Sequence, residues 1–199
     1  MCTRFDRKVT IRRRVEDGRR KKISGGWLGH GPSYRLRMSS PGLSPFCAVR
    51  VLAAEPGLAP EAAAALVGAL DRLLVQFARE GRCTAHQVEV QQDGRFVVIA
   101  WDGGAPLSGC SHDKLSQVIS QHEARSGVAL LSSPPIAIGA PGNIRLVDRA
   151  GLRALRAAQQ ADGTTPVWHV RAATLAEWQA GPRPLADTAF GSEPVQAIG

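Results

Sequence analysis

The stretch "HQVEVQQDGRFVVIAW", residues 86–101, constrains the fold more than any other part of the chain. Val88 and Val90 alternate with polar residues, the period of a strand with one wet face. Asp93 and Gly94 then offer the positive φ angles that a two-residue hairpin turn needs. The returning arm, "FVVIA", is a continuous apolar run, the pattern of a central strand.

The flanks supply partners for that hairpin. "CAVRVLAAE" reads as a strand. "GLAPEAAAALVGALDRLLVQFAREG" reads as a helix from about 60 to 80. Its apolar stripe is Leu66, Leu70, Leu73 and Phe77, flanked by Val67 and Leu74. Pro60 suits its first turn and Gly81 its stop. After the hairpin, "DGGAPLSG" leaves the central strand as a Gly-rich loop, and a second helix is predicted over about 112–126. Its inner face carries Leu115, Val118, Ile119 and His122, and Gly127 follows it. "VALLSS" or "IAIG" returns as a strand. Strand, helix, strand, strand, helix, strand is the split βαβ order. It predicts an α+β class with a ferredoxin-like core, an antiparallel sheet with two helices on one face.

The predicted domain organisation is a core over 46–142, a C-terminal αβ annex over 143–185 and a flexible tail over 186–199. In the annex "NIRLVDR" and "TPVWHV" read as strands and "AGLRALRAAQQADG" as a helix stopped at its Asp-Gly. Thr174 and Glu177 in "TLAEWQA" are spaced as a capping box. Three prolines follow Gly181, so fraying is expected there.

Charge separates the first residues from the rest. Residues 1–37 hold twelve Lys/Arg against three Asp/Glu, a net of +9, and 38–199 hold thirteen against fourteen, a net of −1. Residues 1–45 have little apolar periodicity and are expected to be a disordered basic segment. Met38 offers an alternative start within it. Nucleic acid is expected to bind only through 1–37, because the body as a whole has no sign bias toward polyanions. Cys2, Cys47, Cys83 and Cys110 form no C-x-x-C pair, which argues against a zinc site or a disulfide framework. No run of 18 apolar residues exists and no apolar segment follows the basic start, so the expected location is cytoplasmic, with no membrane partner.

The candidate chemistry centres on "LSGCSHDKLSQVI", residues 107–119. It is not a phosphate loop: no G-x-x-x-x-G-K-[ST] occurs, and Lys114, the only lysine after residue 22, lies inside the helix. Cys110 follows Gly109 at the helix start, where unpaired N–H groups stabilise a thiolate. Ser108 or Ser111 can cap the helix, while Asp113 opposes a thiolate beside it. Two readings stay open. In one, Cys110 is a reactive thiol. In the other, "SGCS" is a tight joint in which Gly109 takes a special backbone conformation, Cys110 points into the core and Ser111 caps. A Cys–His couple needs a base within reach. His112 is adjacent but does not face Cys110 on a helix, His86 depends on the fold, and His122 on the apolar stripe reads as a satisfied core histidine. Metal binding by Cys110 and His112 would need two further ligands, and none is evident. Trp101, at the end of the central strand, either walls a pocket or packs in the core.

"FVVIAWDGGAPLSGCSHDKLSQVI", with "LVGALDRLLVQFAREG" before it and "TTPVWHVRAATLAEWQAGPRPLADTAF" after it, resembles a small bacterial family best seen in Bacteroidetes. Its members carry a similar SGCS-x-D segment after a central strand. The resemblance runs over about residues 47–190, and its site positions are Ser108, Gly109, Cys110, Ser111 and Asp113. The label of transporter ATPase often attached to that family finds no Walker motif here. This chain differs at His112, where the family tends to be apolar, and at Phe77 and Glu80, where relatives often show Trp and His.

The expected function is a non-enzymatic binding or regulatory module without a cofactor. It would use the loop and helix start over 102–113, with Ser108, Gly109, Ser111, Asp113 and Trp101 holding a small anion or a protein partner. The alternatives are a cysteine-dependent enzyme or thiol sensor with Cys110 as its catalytic residue, and an RNA- or ribosome-associated protein acting through the basic arm.

Overall fold

The computed structural model describes residues 42–103, 105–130 and 136–191. The protein is mixed α+β, with two small antiparallel sheets. Strands β1 (Ala48–Ala53), β2 (Ala85–Gln91) and β3 (Phe96–Asp102) form the first sheet in the order β1-β3-β2. Strands β4 (Ile136–Ile138), β5 (Arg145–Val147), β6 (Pro166–Trp168) and β7 (Arg183–Pro184) form the second, in the order β5-β4-β6-β7.

β3 is central as its apolar run predicts, and its side chains divide between two cores. Val97, Ile99 and Trp101 face helices α1 (Pro60–Arg79) and α2 (Gly109–Ser126), meeting Leu66, Leu70, Leu74, Phe77, Leu115 and Ile119. The buried line of α1 runs through Leu74, whereas Leu73 is only partly buried. Phe96, Val98 and Ala100 face the opposite way, into a cluster with Ala137, Ile144, Trp168, Ala172 and Trp178. The Phe96 ring lies 5.3 Å from Trp168 and 5.1 Å from Trp178, distances at which aromatic pairs attract. The C-terminal third therefore covers the second face of the first sheet. Trp178 Nε1 donates to Gln91 Oε1 across that seam (3.1 Å), and Leu175 N donates to the Cys47 carbonyl (3.1 Å).

Several expectations need correction. The hairpin loop spans four residues, since Gln91 pairs with Phe96, and Gln92, Asp93 and Gly94 all have positive φ. It is shaped by its neighbour: Leu58 N donates to Gly94 O (3.0 Å), and a Cβ on Gly94 would overlap the Leu58 backbone. The first sheet has three strands among the described residues, because the predicted fourth strand, "IAI", pairs with β5 and β6. Of "VALL", Ala129 makes only an isolated bridge to Glu55. Helix α3 (Arg149–Ala157) ends before its Asp-Gly, where Gln159 takes a positive φ. Helix α4 (Leu175–Gln179) is capped by Thr174, but the Glu177 carboxylate accepts from Ala173 N rather than from the cap residue (2.8 Å). The segment expected to fray is packed: β7 pairs with β6, a short 3-10 helix follows at Leu185–Asp187, and Leu185 is 1% exposed. At the other end Leu43 already packs against the Trp168–Trp178 cluster. The basic segment as a whole, Met38 included, and the last residues of the tail lie outside the described residues.

Candidate functional site

The loop leaving β3 enters α2 at the end of the first sheet where α1 stops and β2 begins. α2 starts earlier than predicted, with Gly109 and Cys110 inside its first turn. Ser108 is the N-cap: its backbone is extended, and its Oγ accepts from Ser111 N (3.3 Å). Gly109 has no positive φ and no neighbour near its Cβ direction, so no special conformation is needed there.

The tight-joint reading is therefore reversed in its details. Leu115 and Ile119 set the inward line of α2, and stepping back one turn brings that line to Ser111. Ser111 is completely buried, while Cys110, turned about 100° from it, is exposed. Ser108, Gly109, His112 and Asp113 are exposed as well. Trp101 is 6% exposed, inside the helix-facing core, and its edge meets the His112 ring at 6.0 Å.

A buried hydroxyl needs a partner, and Ser111 has two. Its Oγ lies 3.0 Å from Ser108 Oγ and accepts from Arg82 Nη1 at 2.8 Å. Arg82 was not singled out in the sequence, yet the end of α1 dictates its place. Gly81 adopts φ +70°, Gly81 N donates to Ala78 O (3.1 Å) and Arg82 N to Phe77 O (2.8 Å). That is a Schellman ending, which folds the following residue back over the last turn. The Arg82 guanidinium thus sits 5.5 Å from the Phe77 ring centroid, with Nε 2.7 Å from Glu80 Oε2. Phe77, in the last turn of α1, and Glu80, its C-cap, both touch the arginine that binds Ser111.

The other candidates separate. His86 Nε2 lies 3.2 Å from Asp71 Oδ1, between β2 and α1. His122 lies on the inner line of α2, but its Nε2 is buried without a hydrogen-bond partner among the described residues, so it is not the satisfied histidine expected. Burial first, and Arg125 second, push its imidazole below the ordinary value. Cys47 and Cys83 are buried, and burial pushes both thiols up, with Asp102 adding to this at Cys47. Cys83 donates to the Leu74 carbonyl (3.7 Å). No hydrogen bond joins Cys110 to a histidine among the described residues. Nor does any group of three His, Cys, Asp or Glu there have the placement to hold a metal ion.

What these features define is an α+β protein with an exposed thiol and an arginine–serine network at one helix start. No helix among the described residues is long and apolar enough to cross a membrane. No family model, curated protein or solved structure matches this chain.

Proposed function

We propose that the protein is a non-enzymatic binding or regulatory module that takes a small anionic group at the start of α2. The observation that carries this is the arginine clamped beside that helix start. Phe77, Glu80 and Ser111 hold the Arg82 guanidinium in one place while about a third of the side chain stays exposed. A guanidinium has five N–H donors, and its bonds to Glu80 and Ser111 use two of them. Ser108 and the exposed first turn of an 18-residue helix lie next to it, where negative charge is favoured. Asp113, exposed just after that first turn, supplies the opposing charge that limits affinity. Thermal denaturation of the full chain with phosphate, sulfate, pyrophosphate and nucleotides tests the reading. A higher midpoint with one of them, lost in Arg82→Gln, is the expected result. No shift with any of them counts against it.

Exposure of Cys110 favours a second reading, a thiol that is modified or acts as a nucleophile or redox sensor. Iodoacetamide rates across pH test it: a folded protein whose Cys110 reacts no faster than a free cysteine peptide would sink that idea. RNA association through 1–37 and kinship with the SGCS-x-D family remain proposals from the sequence. Within the fold we read the β1-β3-β2 order as the remnant of a ferredoxin-like core. Three free thiols support a reducing, cytoplasmic setting.

A further inference from the structure

The near-neutral total of the body hides an uneven distribution. Residues 145–157 hold four arginines against one aspartate, a net of +3. The rest of 38–199 holds nine Lys/Arg against thirteen Asp/Glu, a net of −4. Arg149, Arg153 and Arg156 recur on α3 at i, i+4 and i+7, which puts them within a stripe about 60° wide. Arg149 and Arg153 are exposed and Arg156 is half-buried. Leu152 anchors the helix beside that stripe, about 70° round the axis from its centre, and clusters with Ile138 and Val167 of the second sheet. Arg145 extends the stripe: it pairs in register with Ile138, so it leaves the sheet on the α3 side, and Nη1 donates to Gln160 Oε1 (3.3 Å). The single acid, Asp148, caps α3, with Oδ1 accepting from Gly151 N (2.6 Å).

We propose that this arginine stripe is a docking surface for the phosphodiester backbone of double-helical nucleic acid, bound without regard to sequence. Every cation in it is arginine, whose planar fork matches phosphate oxygens in pairs. From Arg149 to Arg156 the stripe runs about 10 Å along the helix, long enough to meet about three phosphates of one strand. A membrane is the poorer fit, because the apolar side of α3 is packed inside the protein and has nothing to insert. A single strand is also a poorer fit. The one large hydrophobic residue exposed among the described residues is Phe46, before β1, so the stripe lacks an aromatic platform for unpaired bases. This surface shares no residue with the α2 site or with the basic segment 1–37.

The test compares the full chain with an R149Q/R153Q/R156Q variant on labelled duplex RNA and duplex DNA across a range of KCl. Each phosphate contact adds about 0.9 to the slope of log affinity against log salt, so the variant should lose about 2 to 3 from that slope. An R72Q/R79Q/R125Q variant, neutralised on α1 and α2, should keep it. If the triple variant does not fold, Arg153→Gln alone should lose about 0.9. Circular dichroism and the denaturation midpoint report folding. An unchanged slope, an equal loss in the control variant, or binding only to single strands or anionic vesicles would overturn the proposal. Because residues 1–37 are present throughout, failure of the basic-arm reading shows separately, as unaltered binding when those residues alone are removed.

Discussion

Replacing Ser111 by alanine, alone and together with Arg82→Ala, isolates the bond that ties α1 to α2. Ser111 is completely buried and its hydroxyl accepts a charged donor at 2.8 Å. Hydrogen bonds to charged groups contribute about 1.5–3 kcal/mol, but Arg82 is about a third exposed and keeps Glu80 as a partner, so the lower end applies. Ser111→Ala should therefore cost about 1–2 kcal/mol. The capping bond survives, since it is the Ser111 N–H that donates to Ser108. In a folded body of this size that loss lowers the melting midpoint by about 2–8 °C. Arg82→Ala removes the same bond plus its packing on Phe77, while Ser108 still partners the buried hydroxyl. A double-mutant cycle by denaturant unfolding should then give a coupling of about 1 kcal/mol between the two positions. Costs that add to within about 0.3 kcal/mol would refute the claim that the Arg82–Ser111 bond holds the helix start in place.

Three further outcomes follow from the packing. Phe96→Ala removes the ring shared by Trp168 and Trp178 and should cost about 3–5 kcal/mol, read by denaturation with tryptophan fluorescence. His122 is held below its ordinary value by burial, so the unfolded chain binds its proton more readily. Its contribution is fully present above about pH 6.5 and is lost as pH falls through the folded value; His122→Leu should flatten that part of the stability curve. Under native conditions a thiol reagent should modify Cys110 among the described cysteines, whereas Cys47 and Cys83 become reactive only on unfolding, as peptide mapping can show.

The elements with strong periodicity were legible in the sequence. Val88 and Val90 marked a strand with one wet face, and "FVVIA" marked the strand buried on both. The run did not say what would cover its second face, because β4 and β6 are three residues each and carry no period long enough to read. The loop at Asp93-Gly94 differs from the two-residue turn its sequence predicts for a tertiary reason: Leu58 N donates to the Gly94 carbonyl, and the loop opens to four residues to receive it. At the site, the residue types in "SGCS" were visible but their facing was not. It depends on whether the inward line of α2 passes through residue 110 or 111, and Leu115 and Ile119 decide that only once they are packed. Arg82 carried a weaker signal. Gly81 read as a helix stop, and a Schellman stop also fixes where the next residue goes.

The central claim, that the start of α2 beside Arg82 receives an anionic group, is tested most directly by amide chemical shifts of the full chain during titration with inorganic phosphate and then pyrophosphate. The expected result is a saturable set of shifts confined to residues 103–113 and to Arg82 and Gly81, absent in Arg82→Gln. Shifts that do not saturate, or that cluster elsewhere while this set stays still, would contradict the account.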